Sequence, residues 1–288
     1  YGLRPDRGSR DLAAADRMND WAHHAAELIG KAELKRLSTR SDAAGLAHLA
    51  GHVAMLIATG ALVYASAGTF WIWPAMFVHG TALIFLFSPL HETIHRTAFH
   101  SRALNDVVAF IAGVLVVLPR EYFRAFHFAH HRFTQEADDP ELVEAKPASG
   151  WQALWYVTGL STWWYALKGL LERACGVLRE PFYATDRVRR SVIVESRWVL
   201  AIYAAVLLAS IAAGSTLLLW YWVVPALLAQ PMLRLYLLAE HSACPRTPDM
   251  LENTRTTHTN ALVRFLAWNM PFHAEHHAWP SIPFHALP

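Results

Sequence analysis

The sequence predicts an all-α fold embedded in a membrane, and three observations predict it. The composition is too apolar for an ordinary soluble domain, charge-free runs occur at the length needed to cross a bilayer, and histidines cluster just beyond the ends of those runs. Of 288 residues 54% are hydrophobic, with 12 Trp, and the mean hydropathy is +0.21, which points to lipid as the solvent. A net charge of +2 without a long basic run gives no reason to expect nucleic acid as a partner. Cys175 and Cys244 are far apart and outside any CxxC pattern, so neither a disulfide framework nor a thiolate metal site is expected. Cys244 reads as a small core residue. The chain opens on Tyr1 without the features of a signal peptide, so it reads as trimmed; it stops at Pro288, soon after its last histidine cluster.

Taken in order, residues 1–44 form a charged N-terminal segment, amphipathic from Met18 to Leu37, that brings Lys31, Lys35, Arg36 and Arg40 up to the first apolar run. The positive-inside rule puts this end in the cytoplasm. Gly45 to Ala67 and Phe70 to Leu90 carry no Asp, Glu, Lys or Arg, and about 20 such residues cross a hydrocarbon core. They are expected to pair as a first hairpin (45–90), with Trp71 and Trp73 at the interface. Val107 to Leu118 is too short for an ordinary span and reads as a re-entrant or surface-lying helix. The section 91–197 keeps a positive excess and is expected to be cytoplasmic. Its Trp151, Trp155, Trp163 and Trp164 suit an amphipathic helix at the headgroups or a buried helix of a cytoplasmic cap. Two further spans, Trp198 to Ala213 and Thr216 to about Leu233, form a second hairpin (198–238) in which Pro225 and Pro231 should introduce a bend. The remainder, 239–288, returns to the cytoplasm. The expectation is one domain with four transmembrane helices in two hairpins, both termini inside and a cytoplasmic helical cap.

Three clusters carry the chemistry. His127-Phe128-Ala129-His130-His131 and His273-Ala274-Glu275-His276-His277 share the spacing H-x-x-H-H, and His91-Glu92-Thr93-Ile94-His95 adds two more imidazoles at i and i+4. On a helix those positions share one face, and neutral imidazole is a good ligand for iron and zinc. The hydropathy and charge pattern independently sets all three clusters on the cytoplasmic side. His91-Glu92-x-x-His95 also matches the zinc metalloprotease signature, in which the acid activates a metal-bound water. That reading leaves most of the H-x-x-H-H histidines without a role. A zinc site takes about four ligands, so eight or nine imidazoles suggest two ions. Two iron ions with dioxygen can remove hydrogen from an unactivated C–H bond. Soluble di-iron bundles do this with mainly carboxylate ligands; an all-histidine shell is a different solution.

The sequences HETIH, HFAHH and HAEHH resemble, in spacing and order, the three histidine boxes of the membrane fatty acid desaturase and hydroxylase superfamily. The neighbouring HFAHHRFTQEADDPE, AEHSACP, NTRTTHTN and NMPFHAEHHAWPSIPFHALP read like its bacterial members. The resemblance covers about Leu46 to Pro288. It implies an additional lone histidine ligand beyond the last span, where His241 stands, and so a ligand set of His91, His95, His127, His130, His131, His241, His273, His276 and His277. It implies two iron ions, O2 as co-substrate and an apolar or amphiphilic substrate, in a bacterial inner membrane. With no fused cytochrome motif and hence no haem in this chain, electrons are expected from a separate ferredoxin or Rieske-type protein with its reductase. Desaturation is the first expectation and hydroxylation or oxygenation of a lipid, carotenoid or small molecule the second. Box 1 is one residue shorter than in the animal acyl-CoA desaturases, and Leu237 stands where those have an Asn; both departures bear on substrate. Because ligating imidazoles usually donate their second N–H to an acid or carbonyl, Glu92, Asp138, Asp139, Glu240, Asn269 and Glu275 are candidate partners. His48, His52 and His79 lie inside the first two spans, where an ionisable residue is a functional candidate. His100 and His258 are candidates for supporting roles, His285 reads as structural, and His23 and His24 have no role assigned.

Overall fold

The computed structural model describes residues 27–143, 147 and 149–288. His23, His24, Lys146 and the start of the amphipathic stretch at Met18 lie outside the described residues. Among the described residues the chain is all-α, with no strand and one isolated bridge, between Thr256 and Phe272. Four helical stretches are long and apolar enough to cross a membrane: Asp42–Ala65, Ile72–Ile94, Asp186–Ala212 and Leu219–His241.

A short helix α1 (Lys31–Leu37) leads to α2 (Asp42–Ala65). The latter starts three residues before the apolar run because the Ser41 side chain accepts from the Ala44 N–H at 3.2 Å, an N-cap the hydropathy pattern does not reveal. The second span is broken. Helix α3 (Ile72–Ile84) stops and α4 (Phe87–Ile94) begins, since Pro89 has no N–H to give the Phe85 carbonyl and its ring crowds that position. The Ser88 N–H bonds Phe85 instead, at 2.9 Å. Helix α5 (Arg102–Leu115) and α6 (Arg120–Phe133), with Pro119 at the N-cap of α6, meet at a bend of 99°. The short apolar segment therefore does not continue straight. Then follow α7 (Gly150–Thr158) and α8 (Leu160–Ala174), on which Trp151, Trp155 and Trp164 are exposed while Trp163 packs against the hydrophobic core.

Helix α9 (Asp186–Ala212) begins well before the apolar run at Trp198, capped by Thr185 and carrying Arg187, Arg189 and Arg190 in its added turns. The last span opens with a π-helical turn, Leu219–Val223, and continues as α10 (Val224–His241). The π-turn ends just before Pro225, and the stretch runs on to His241 with Pro231 inside it, so neither proline breaks the span. Short helices α11 (Ala261–Leu266) and α12 (His273–Ala278) complete the chain.

The last span packs chiefly against α3, while α9 leans on α8 and α6. Small residues explain the choice. A Cβ added to Gly80 would land on the Pro225 carbonyl, and Ala229 lies beside it. Lipid exposure follows from this arrangement: only 11% of the first span is buried, against 61% of the second. The core beneath the histidine-bearing helices joins Leu86, Leu90, Ile94, Ala109 and Phe123 to Ala229, Leu233, Leu266 and Met270.

The histidines inside the spans each satisfy a backbone carbonyl. His79 Nε2 donates to Tyr221 O at 3.1 Å and its Nδ1 receives the Thr59 hydroxyl at 2.9 Å. Tyr221 is four residues before Pro225, so its carbonyl has lost its helical donor. His52 Nε2 donates to Ala82 O at 2.8 Å, beside the break between α3 and α4, while its Nδ1 accepts from the Trp268 indole at 3.3 Å. His48 Nε2 donates to Phe265 O at 2.8 Å. In lipid an unsatisfied carbonyl costs several kcal/mol, and these side chains remove that cost.

Two measurements check this packing. Gly80→Ala should destabilise by about 1–3 kcal/mol through overpacking, read as a lower melting temperature in detergent. Gly60→Ala, whose methyl would sit 3.6 Å from the His79 ring, should not; equal shifts would refute the close α3–α10 approach. His79→Leu should also lower the melting temperature, by the roughly 1–3 kcal/mol of an orphaned buried carbonyl, while leaving the metal content of the purified protein unchanged.

Candidate metal centre

Four helices deliver the predicted histidines. His91 sits on α4 and His95 at its C-cap; His127, His130 and His131 share one face of α6; His241 is the last residue of α10; and α12 carries His273, His276 and His277. The structure brings all nine together in two groups: His91, His95, His127, His131 and His276 in one, and His130, His241, His273 and His277 in the other, the nitrogens of each group lying within 4.8 Å of one another. Each H-x-x-H-H copy is thus divided between the groups, because i and i+3 diverge slightly around the helix.

Hydrogen bonds at the back of the second group decide which nitrogens keep a lone pair. His130 Nδ1 donates to Asp139 Oδ1 at 2.9 Å, and His241 Nδ1 donates to Asn253 O at 3.2 Å. The Thr134 hydroxyl donates to His130 O at 2.8 Å and its oxygen lies 3.3 Å from His277 Nδ1. With those protons fixed on Nδ1, the Nε2 atoms of His130 and His241 face each other at 3.2 Å with no proton to share. His277 Nε2 is buried without a partner, as is His273 Nδ1, whose other nitrogen lies 3.6 Å from Glu240. In the first group His131 Nε2 is 2.9 Å from His127 Nε2 and 3.2 Å from His276 Nε2, and neither nitrogen of His91 has a hydrogen-bond partner. Converging lone pairs repel unless a cation lies between them, so the donor set fits a metal ion in each group.

Burial also keeps these rings uncharged. Desolvation, reinforced by the neighbouring imidazoles, holds His127, His131, His273, His276 and His277 well below the ordinary imidazole range. Asp139 behaves oppositely. Its burial alone would raise its pKa, but the hydrogen bond from His130 and the backbone N–H groups of Glu141 and Gln135 bring it below the usual carboxylate value.

Of the acids and amides expected behind the imidazoles, Asp139 and Glu240 are there. Glu92 is not: its Oε1 accepts from the Phe284 N–H at 3.0 Å, which ties α4 to the C-terminal segment. Glu275 accepts from the Thr256 hydroxyl. Asn269, at positive φ, bonds Phe284 O at 3.0 Å and Arg264 at 3.3 Å. Asp138 is exposed. Box proximity misleads here because an acid one residue from a ligand on a helix points about 100° away from it. Two partners were not anticipated as such, Thr134 and the Asn253 carbonyl. Thr134 was legible in principle, since it stands one turn after His130. The Asn253–Thr257 segment depends on the tertiary fold, reaching Glu240 O through the Arg255 N–H at 2.9 Å and Pro271 O through the Thr257 N–H at 2.8 Å. His100 and His258 are exposed, and His285 is half-buried beside Phe284.

A cavity of about 960 Å³ meets the histidines at His91, His127 and His273 and is walled by aromatic residues, among them Phe87, Tyr122, Phe123, Phe126, Trp155 and Tyr156. That volume is at the upper end of small-molecule pockets.

Comparison with known proteins agrees with this architecture. The chain is 29% identical over 101 residues to the sn-1 oleoyl-lipid 12-desaturase of Picosynechococcus sp., covering 32% of this chain and 29% of that protein. It is 26% identical over 239 residues to the dihydrorhizobitoxine desaturase of Bradyrhizobium elkanii, covering 76% of this chain and 66% of that protein. It therefore spans less than two thirds of the length of either relative. The family model described as fatty acid desaturase matches residues 68–288, every histidine of both groups included. With three of its four spans and all nine of these histidines inside that match, the chain is an integral membrane protein that belongs to the fatty acid desaturase family.

Proposed function

We propose that this protein is an O2-dependent membrane oxidoreductase that desaturates an apolar chain, using two iron ions held by His91, His95, His127, His131 and His276 on one side and His130, His241, His273 and His277 on the other. The observation that carries the reading is the convergence of nine imidazoles in groups of five and four, within a chain of the desaturase family. Nitrogen-only donors at that number suit a redox metal better than magnesium or calcium, which take oxygen ligands. Bound iron would supply the reduction of O2 to two waters, with two external electrons, two protons and the two hydrogens lost by adjacent substrate carbons. The names of both relatives, each a desaturase, favour dehydrogenation over hydroxylation.

The chain's own residues set the conditions. Asp139, the Asn253 carbonyl and Thr134 fix the orientation of His130, His241 and His277 from behind. The aromatic wall offers an apolar surface to a substrate chain where it would approach His91, His127 and His273. In this reading the spans form two hairpins with the histidine-bearing helices as a cytoplasmic cap, and the protein sits in a bacterial inner membrane with both termini and the site on the cytoplasmic side. Lys31, Lys35 and Arg36 before the first span and Arg187, Arg189 and Arg190 at the start of the third support that orientation. The exposed Trp151, Trp155 and Trp164 then meet the headgroups. A separate ferredoxin or Rieske-type protein with its reductase would deliver electrons to the cap. The zinc peptidase reading is disfavoured because the Glu92 carboxylate is held by the Phe284 N–H, whereas a general base must face the metal.

Anaerobic purification followed by metal analysis should find two irons per chain. His276→Ala and His130→Ala should each abolish O2-dependent product formation, assayed by mass analysis of lipids and small metabolites from producing cells. Glu92→Gln, where correctly folded, should keep two irons and measurable activity; loss of activity with one zinc retained would instead establish the peptidase reading. Asp139→Asn should weaken metal affinity roughly 10–100-fold without removing a ligand, seen as iron lost on dialysis against a chelator.

A further inference from the structure

The cavity that meets the histidines is not apolar throughout. Arg173 of α8 and Arg234 of α10 stand in its wall with only 4% and 6% of their surfaces exposed. Each guanidinium sits over a tyrosine ring of the same wall, Arg173 over Tyr122 at 3.7 Å and Arg234 over Tyr156 at 3.8 Å. Withdrawing a cation from water is costly, and stacking on a ring returns only part of that cost. Among the described residues Arg173 has no carboxylate within ion-pair distance, and its Nε is buried without a hydrogen-bond partner. The preceding residue, Glu172, is engaged by Lys168 at 3.0 Å and Arg179 at 3.5 Å. Two carboxylates also line the cavity, but they stand at its histidine end: Glu141 is 3.8 Å from His130 Nε2 and Glu240 is 3.6 Å from His273 Nε2. The wall is polarised, with acids beside the imidazoles and cations over the tyrosines.

We propose that Arg173, with Arg234 in the same wall, binds an anionic head group, a carboxylate or a phosphate, on an amphiphile whose apolar part lies along the aromatic wall toward the histidines. A planar guanidinium offers paired N–H donors that match either oxyanion. The anion supplies the counter-charge that Arg173 lacks. Tyr122 precedes His127 by five residues on α6, and Arg234 precedes His241 by seven on α10. At 1.5 Å per residue the head is therefore roughly 8–10 Å along the helices from the histidines. Anchoring the head would fix which carbon reaches them, so these arginines are specificity-determining residues. The identity of the reacting end rests on the desaturase reading; the head-group contact does not.

The test measures equilibrium binding of dodecanoate, dodecyl phosphate and dodecanol to the iron-loaded protein, kept anaerobic, in phosphatidylcholine nanodiscs at mildly alkaline pH, with empty discs subtracted. Wild type should prefer at least one of the two anions over dodecanol by about tenfold, and which anion is preferred separates a free fatty acid from a phosphate-headed lipid. Arg173→Gln should lose most of that preference and Arg173→Lys should keep part of it, both melting close to wild type. Equal binding of dodecanol and both anions by wild type would overturn the proposal, as would an undiminished preference in a folded Arg173→Gln. If Arg173→Gln fails to fold, the wild-type comparison and Arg234→Gln decide by the same criterion. Metal content, measured on the same preparations after iron loading, separates the two readings: a protein without iron that still prefers anions sinks the desaturase reading alone.

Discussion

Nine imidazoles held away from water, with lone pairs turned toward one another, form the constraint around which this protein is organised. A desolvated histidine resists protonation, and two unprotonated nitrogens about 3 Å apart have no hydrogen to share. The polypeptide keeps this arrangement because four separate helices are braced from outside the cluster. Asp139 and Thr134 hold α6 to its neighbours, the Asn253–Thr257 segment pins both the end of α10 and the start of α12, and Glu92 ties α4 to the C-terminal loop. None of these braces points into the cluster. The nitrogens that converge there are the donor set for a borderline or redox metal, with Glu141 and Glu240 at the edge of the cluster.

The same side chain serves a second purpose lower in the molecule. His52 and His79 are buried in the spans and His48 is half-buried, yet each spends its N–H on a backbone carbonyl. Tyr221 O has lost its donor to a proline and Ala82 O lies at a helix break, and in a lipid setting no water is available to replace what is missing. The π-turn before Pro225 and the break at Phe85–Leu86 are tolerable because histidines from adjacent spans reach them. Both spans run on past those irregularities, and their histidine-bearing ends meet α6 and α12.

The cavity adjoins the histidine cluster at His91, His127 and His273. Its aromatic wall suits an apolar chain, and its polarised ends suit a molecule with distinct head and tail. The family membership speaks to the chemistry, but a shared scaffold is a weak guide to substrate. In this chain the cavity wall contains two arginines stacked on tyrosines.

The sequence by itself determined the class of fold and the histidines. Spans announce themselves through runs without charge, and HETIH, HFAHH and HAEHH carry their meaning in spacing alone, because helical periodicity converts spacing into a shared face. His241 came from resemblance, since a lone histidine has no local pattern. The extended start of α9 escaped the hydropathy reading, which stops at the first charges although the backbone continues through them. Only the tertiary structure decided how the imidazoles divide between two groups and which acids support them. It alone placed Arg173 and Arg234 in one wall and found a carbonyl for each histidine inside the spans. These depend on contacts between residues far apart in the chain, and no periodicity along one segment encodes the angle at which another segment crosses it.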